Sequence, residues 1–196
     1  MADGTSAEVD YLANIVDVAA ELFARQGYRG TSMRDIGRAV GVHAGSLYAH
    51  IESKEELLHR IVNSIMLRSE QDMTEVLAKP GTATGQLREI VLRDLRLVSE
   101  HREQATVFFH EWRNLSAERQ QAVIASRDRW EHGLRSVISR GIAEGEFRPA
   151  DVRITGFAIT SMLNWAYVWY SPGGPLTVEQ LADQYVDLLV AGLQPR

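Results

Sequence analysis

Apolar residues recur at spacings of three and four along most of this chain, and that period constrains the fold more than any other feature. The first such stripe consists of Leu12, Ile15, Ala19, Leu22 and Phe23. This spacing places the side chains on one face of an α-helix. No alternating run bounded by a hairpin turn is present, so strands are not expected. The sequence therefore predicts an all-α protein.

Capping residues and breaks at glycine and proline divide this pattern into separate helices. Ser32 with Asp35, Ser53 with Glu56 and Thr177 with Gln180 have the spacing of helix-capping pairs. The predicted helices span about 12–26, 32–40, 44–50, 54–78, 84–100, 103–114, 116–143, 152–170 and 177–192. The early helices are short and the later ones long. We therefore expect two domains, residues 1–56 and 57–196, joined through a shared helix.

Composition and charge exclude several classes of protein. The chain has no cysteine, which rules out disulfides, thiolate metal sites and a cysteine nucleophile. A net charge of −5 disfavours a non-specific nucleic-acid coat protein but allows a specific reader with a local basic patch. No signal peptide is evident, and the apolar stretch 154–170 is too short to span a membrane. We expect a cytoplasmic protein.

Patterns typical of catalysis are missing. His110-Glu111 begins like a zinc-protease signature, but Asn114 stands where the second histidine is required. There is no phosphate loop, dinucleotide fingerprint or nucleophile elbow. We expect no catalytic residue, no metal site, no cofactor and no enzyme activity. A helical interaction protein without DNA binding is the remaining rival to a DNA-binding protein.

Residues 31–50 contain two short helical segments joined by a turn that begins at Gly41. This arrangement is typical of a helix-turn-helix. The exposed residues of its second segment are small or polar and allow close approach to a groove floor. Five basic and two acidic residues lie between positions 25 and 54, which makes a local positive patch. The pattern fits a DNA reader, and it also fits any three small helices packed around a glycine turn.

A longer set of residues at fixed spacing surrounds this segment. It comprises Ala20, Leu22-Phe23, Gly27-Tyr28, Thr31, Arg34-Asp35-Ile36, Gly41-Val42, Gly45-Ser46-Leu47-Tyr48, His50 and Ser53-Lys54-Glu55-Glu56-Leu57. The run from Ala20 to Leu58 resembles the DNA-binding domain of the TetR family of bacterial one-component repressors. The resemblance implies an N-terminal helix-turn-helix domain of three helices and a C-terminal domain that binds a small ligand and forms a homodimer.

The resemblance also implies roles for individual residues. The implied DNA-binding residues are Thr31, Ser32, Arg34, His43, Ala44, Gly45, Ser46, Tyr48, His50 and Lys54. Thr31 or Ser32, Arg34 and Lys54 resemble phosphate contacts, and the other residues lie on the recognition helix. Tyr48 has a second interpretation, in which its ring is half core and only its hydroxyl reaches a phosphate. His43 stands where a serine or threonine is usual, so it is either a DNA contact or an exposed turn residue.

Two stretches extend the resemblance into the C-terminal domain. Residues 140–148, RGIAEGEFR, look like a family stretch with a structural role. Residues 165–177, WAYVWYSPGGPLT, are similar to TetR-type repressors of fatty-acid and sterol catabolism, whose inducers are acyl-CoA thioesters. The expected effector is a small hydrophobic molecule, either an acyl-CoA thioester or a drug-like compound without CoA.

Aromatic residues four positions apart are candidates for the wall of an effector cavity. The candidate ligand-binding residues are Phe108, His110, Glu111, Trp112, Met162, Trp165 and Trp169. Such pairs occupy one helix face, which is also how packed core or a dimer interface is built. A dimer would present two recognition helices to a palindromic DNA operator. Candidates for its interface on the last two helices are Phe157, Ser161, Leu188, Leu189, Val190 and Gly192.

Overall fold

The computed structural model describes residues 3–193, and within them the chain forms helices and no strand. The helices are α1 (Asp3–Gln26), α2 (Met33–Val40), α3 (Ala44–Leu47), α4 (Lys54–Ala78), α5 (Ala83–Glu100), α6 (Arg102–His110), α7 (Ala117–Ala143), α8 (Val152–Trp169) and α9 (Val178–Leu193). A 3₁₀ turn, Trp112–Asn114, separates α6 from α7. No helix in the described part has the length and apolar character needed to cross a membrane. The predicted all-α class is confirmed.

Two of the three predicted capping pairs form reciprocally. The amide of Asp35 donates to the Ser32 hydroxyl at 3.2 Å, and the amide of Ser32 donates back to the Asp35 carboxylate at 3.0 Å. Thr177 and Gln180 make the same reciprocal pair at 2.9 and 3.2 Å. At the third, the amide of Glu56 donates to the Ser53 hydroxyl at 3.1 Å, but the Glu56 carboxylate accepts from the amide of Glu52 at 2.6 Å. Each pair satisfies amides at a helix N-terminus that the helix itself leaves without partners.

Three helix boundaries differ from the prediction by more than one residue. Helix α1 begins at Asp3, α6 ends at His110, and α3 ends at Leu47 although the prediction continued it to residue 50. After α3 the chain stays in tight turns, with the amide of Ile51 donating to the carbonyl of Leu47 at 2.9 Å. Leu47 and Ile51 are both buried while the three residues between them are exposed.

The chain divides into two compact units. The first runs to Ile65 and also includes Glu103–Val123, and the second comprises Met66–Arg102 and the chain from Ile124 onwards. Helices α4 and α7 each contribute residues to both units. The functional domains 1–56 and 57–196 stay a prediction.

Hydrogen bonds between distant residues join Glu103–Val123 to the helix-turn-helix region in the first unit. Glu55 Oε1 accepts from the amide of Ser116 at 2.9 Å, and Arg29 Nε donates to Asn114 Oδ1 at 3.1 Å. The buried side chains of the same unit include those of Phe23, Ile36, Leu57 and Trp112.

The second unit is built around a core to which α5, α7, α8 and α9 all contribute. The stretch 140–148 closes this core. Glu146 accepts from the amides of Ala83 and Thr84 at the start of α5, at 2.7 and 2.9 Å. Arg148 Nε donates to the carbonyl of Gly192 near the end of α9 at 2.8 Å. The stretch therefore caps two helices.

Candidate functional site

Helices α2 and α3 meet at a tight turn that glycine makes possible. Gly41 ends α2 with a φ of 85°, in the left-handed region that glycine adopts without strain. The amide of Val42 then donates to the carbonyl of Gly37 at 2.8 Å. The close approach of the turn to α2 at Gly37 leaves no room for a side chain there. The orientation of α3 relative to α2 is therefore fixed.

The outer face of this turn is basic and concave. A recess of about 530 Å³ is lined by Arg34, Arg38, Gly41, Val42, His43 and Ala44. His43 occupies the N-cap position of α3, and its side chain makes no capping hydrogen bond. Its imidazole is exposed beside two arginines. The recess therefore offers cationic and hydrogen-bonding groups to an anionic partner.

Most of the residues that the resemblance singled out for DNA lie on this exposed face. Ser32, Arg34, His43, Gly45, Ser46, Tyr48 and His50 are exposed, and Ala44 is half-buried. Tyr48 is 55% exposed, so its ring is not part of the core. The ring of His50 makes an edge contact with Tyr11 of α1 at 5.3 Å. The two residues are 39 positions apart in the sequence, so no short-range sequence pattern predicts their contact.

Two of the predicted DNA contacts are engaged inside the protein. Thr31 is 1% exposed, and its hydroxyl donates to the carbonyl of Gly27 at 3.0 Å within the first unit. Lys54 Nζ donates to the carbonyls of Tyr28 and Thr31, both at 2.8 Å. The lysine that resembled a phosphate clamp thus binds this chain's own backbone.

Arg38 was missed in the sequence, although it lines the recess together with Arg34. The signal was available, because two arginines four positions apart lie on one face of a helix. Arg38 also makes an exposed ion pair with Asp35 at 3.6 Å. The hydrogen bonds from Ser32 lower the pKa of Asp35, with a smaller contribution from Arg38.

The candidate ligand-binding residues do not come together within one unit. Phe108 and Trp112 are buried in the first unit, where His110 is exposed and Glu111 accepts from Asn114 Nδ2 at 2.8 Å. Met162 is half-buried in the second unit. The structure thus places the predicted aromatic pairs in different units.

Trp165 and Trp169, which were predicted as cavity walls, lie on the outer face of α8 in this chain, and their role in ligand binding stays a prediction. They are 62% and 48% exposed. The inward stripe of α8 consists instead of Gly156, Ile159, Leu163 and Ala166. Both stripes have helical spacing, so the sequence alone did not distinguish the covered one from the exposed one.

Asp94, a residue to which the sequence assigned no role, lies on the inward-facing stripe of α5. Asp94, which is itself half-buried, falls among the buried residues Val91, Leu97 and Val98 at helical spacing. Burial and, to a smaller extent, the like charge of Asp72 raise the pKa of Asp94 to about 7. Its position within an apolar stripe was the signal that could have identified it.

Comparisons with known proteins agree with this geometry. A model described as "Bacterial regulatory proteins, tetR family" matches residues 15–61, and one described as "Tetracyclin repressor-like, C-terminal domain" matches residues 80–193. The HTH-type transcriptional repressor KstR2 of Mycobacterium tuberculosis is 29% identical over 185 residues, which cover 91% of this chain and 90% of that protein.

Solved structures show the same fold over nearly the whole chain. The TetR family transcriptional regulator PfmR from Thermus thermophilus has a TM-score of 0.85 and 34% identity, covering 92% of this chain and 99% of its own. AibR, in complex with isovaleryl coenzyme A and operator DNA, has a TM-score of 0.81 and 32% identity, covering 92% and 97%. These relatives are transcriptional regulators and not enzymes. The chain belongs to the TetR family of bacterial transcriptional regulators.

Proposed function

We propose that this protein is a homodimeric repressor that binds a palindromic operator in the cytoplasm and is released by a small hydrophobic effector. The observation that carries the proposal is the exposed basic face of α2 and α3. A short helix held at a fixed angle, with small residues and flanking cations, suits the major groove. The recurrence of regulators and repressors among the relatives supports it.

Contacts to DNA divide into two kinds on this face. Arg34 and Arg38 suit phosphates, and the exposed Ser32 lies at the N-cap of the same helix. Gly45 and Ser46 are the small exposed residues of α3, which allow the helix to approach base edges closely. The other proposed contacts from α3 and its flanks are His43, Ala44, Tyr48 and His50.

Exposed apolar stripes on α8 and α9 support the proposed dimerisation. The exposed stripe of α8 comprises Ile154, Phe157, Ser161, Trp165 and Val168 at spacings of three and four. On α9, Leu188 is 65% exposed and lies near the exposed Gly192, while Leu189 and Val190 pack against the core of the second unit. Water-exposed apolar area of this kind is stabilised by burial against a second copy.

The proposed effector is an acyl-CoA thioester. Support comes from AibR, whose structure contains isovaleryl coenzyme A together with operator DNA. Phe108, His110, Glu111 and Trp112, which all lie in the first unit, remain the proposed effector-binding residues. Helix α4 has residues in both compact units, which makes it the proposed carrier of the signal. A coupling of about 1–3 kcal/mol would lower operator affinity roughly 5- to 150-fold.

A drug-like effector without CoA is the second candidate. Phe108 and Trp112 are buried aromatic residues four positions apart. A neutral ring compound could pack against such side chains without carrying a CoA group. Under this alternative the DNA-binding face is used in the same way.

The test is fluorescence anisotropy with labelled duplexes tiled across the DNA upstream of the protein's own gene. Isovaleryl-CoA, a long-chain acyl-CoA, free CoA and the corresponding free acids are added at one salt concentration. We expect one duplex to bind and an acyl-CoA to release it. Release by neutral drug-like compounds alone would favour the second candidate.

Two arginine variants serve as controls for the site. Arg34→Ala should weaken binding, whereas Arg68→Ala, an exposed arginine of the second unit, should not. Equal effects of both substitutions, or no binding to any duplex even at low salt, would contradict the proposed DNA-binding face.

A further inference from the structure

The ammonium group of Lys54 at the start of α4 is directed into the loop between α1 and α2. Nζ donates to the carbonyl oxygens of Tyr28 and Thr31, both at 2.8 Å. It also lies 4.2 Å from the centre of the Tyr28 ring. The two hydrogen bonds use two of the three N–H donors of the ammonium group, and the cation–π contact adds a third interaction. The side chain is thereby held in one position within the first unit.

The loop between α1 and α2, which accepts these hydrogen bonds, leads directly into the start of α2. The buried hydroxyl of Thr31 donates to Gly27, and the ring of Tyr28 packs edge-on against Phe23 at 5.3 Å. Ser32, the next residue, is the N-cap of α2. Lys54 therefore connects the first turn of α4 to the residue that precedes the first turn of α2.

We propose that Lys54 is a positioning residue that holds the first turn of α2 against the start of α4 and does not bind a DNA phosphate. Its effect on DNA rests on the proposed function, because Ser32 and Arg34 in that turn are proposed DNA contacts. A displacement of the start of α4 is passed to these two residues through the carbonyls of Tyr28 and Thr31. Lys54 then links the proposed carrier of the effector signal to the DNA-binding face.

Arginine is a poor substitute at this position. The guanidinium group of arginine is planar and holds its five N–H donors in a fixed fork. The site instead binds a compact ammonium group through two backbone carbonyls and the face of the Tyr28 ring. A phosphate contact, in contrast, tolerates arginine well. Lys54→Arg therefore separates the two roles while the charge is retained.

The experiment measures duplex binding by the full-length protein over a range of salt concentrations. Lys54→Met and Lys54→Arg should both weaken binding about tenfold or more, with the slope of log affinity against log salt unchanged. Arg34→Met should reduce that slope by about 0.9 for each phosphate that the protein no longer neutralises. Lys79→Met, at the only other lysine and on an exposed site, should change neither quantity. A reduced slope for Lys54→Met, or wild-type binding by Lys54→Arg, would overturn the proposal.

A second measurement uses only the wild-type protein, first without DNA and then with it. Selective ¹³C labelling gives signals from two lysines, and the Lys54 ε-methylene should be shifted upfield by the Tyr28 ring. Saturating duplex should leave this shift in place. A Lys54 signal that coincides with that of Lys79, or that moves to that position when DNA binds, would refute the positioning role. If no duplex binds the wild-type protein, the proposed function fails while the lysine signals still decide the contact.

Discussion

Single residues set the geometry of the candidate DNA-binding face, and Gly37 shows how narrow the tolerance is. A Cβ atom at this position would lie 2.9 Å from the carbonyl oxygen of Val42 and 3.2 Å from the amide nitrogen of Ala44. Backbone atoms cannot move aside as a flexible side chain can. The missing methyl group allows the turn between α2 and α3 to pack directly on α2.

Gly37→Ala should therefore destabilise the protein by about 1–3 kcal/mol, because α2 and the turn must separate to admit the methyl group. Urea unfolding of the full chain measures this loss. Gly45→Ala is the matched control, since no atom lies within 4 Å of a Cβ there and alanine favours helix. An equal loss in both variants would show that close packing at Gly37 is not the cause.

The raised pKa of Asp94 predicts a stability that declines with pH. An unfolded aspartate has a pKa of about 3.9, whereas burial and the charge of Asp72 raise the pKa of Asp94 to about 7. Between these values the native state binds more protons than the unfolded state, so stability falls as pH rises from about 4 to about 7.

Asp94→Asn removes the titrating group and should flatten this decline. We expect the variant to gain on the order of 2–4 kcal/mol relative to the wild type at about pH 8. Denaturant unfolding at about pH 5 and pH 8 measures the difference. The exposed Asp128→Asn is the control and should retain the wild-type decline. An Asp94→Asn variant with the wild-type pH dependence would contradict the assignment.

At the scale of helices, α5 depends on a residue far along the chain for its N-terminal cap. Thr82 accepts from the amide of Gly85 at 3.0 Å, and Glu146 accepts from Ala83 and Thr84. Burial opposes ionisation of Glu146, but the two amide hydrogen bonds outweigh it and lower its pKa. A lowered pKa means that the charged form stabilises the fold above the unfolded pKa, and that this stability is lost as pH falls through the folded value.

Glu146→Gln should cost about 1 kcal/mol at neutral pH, because a neutral amide oxygen caps the helix more weakly than a carboxylate. The difference from wild type should be smaller at acid pH than at neutral pH, because the wild-type carboxyl loses its charge as the pH falls through its lowered folded pKa. Thermal unfolding at both pH values provides the test. Glu144→Gln, which breaks only the partly exposed ion pair with Arg140, should cost less. A deficit that persists unchanged in acid would argue against a charge effect.

At the scale of the whole molecule, the exposed tryptophans of α8 lie on the helix that is proposed to form the dimer interface. Trp165 is 62% exposed on a stripe with Phe157 and Val168. Arg135 and Arg153 lie 5.3 and 5.5 Å from the Phe157 ring, so cations border the apolar stripe. Such a surface is stabilised when a second copy covers it.

Trp165→Glu should therefore convert the proposed dimer to a monomer and weaken operator binding, since one recognition helix binds less tightly than two. Sedimentation or light scattering at micromolar concentration measures the change. Leu67→Glu is the control, because Leu67 is 56% exposed but lies on α4. A Trp165→Glu variant that remains dimeric would place the interface elsewhere.

Much of this protein was predictable because the deciding interactions are local. Ser32 with Asp35 and Thr177 with Gln180 are three residues apart, so helix ends could be predicted from the sequence alone. The helical class follows from apolar spacing for the same reason. The residues between Ala20 and Leu58 were also sufficient to indicate the family, which the comparisons confirm.

Only the tertiary structure decided what depends on contacts between distant residues. It turned Lys54 inward onto Tyr28 and Thr31, buried Thr31, and left Trp165 and Trp169 exposed. No local pattern reports whether a second helix covers an apolar stripe or whether a carbonyl lies within reach of a lysine. The sequence by itself determined which segments are helical, and packing decided which of their side chains remain available to a partner.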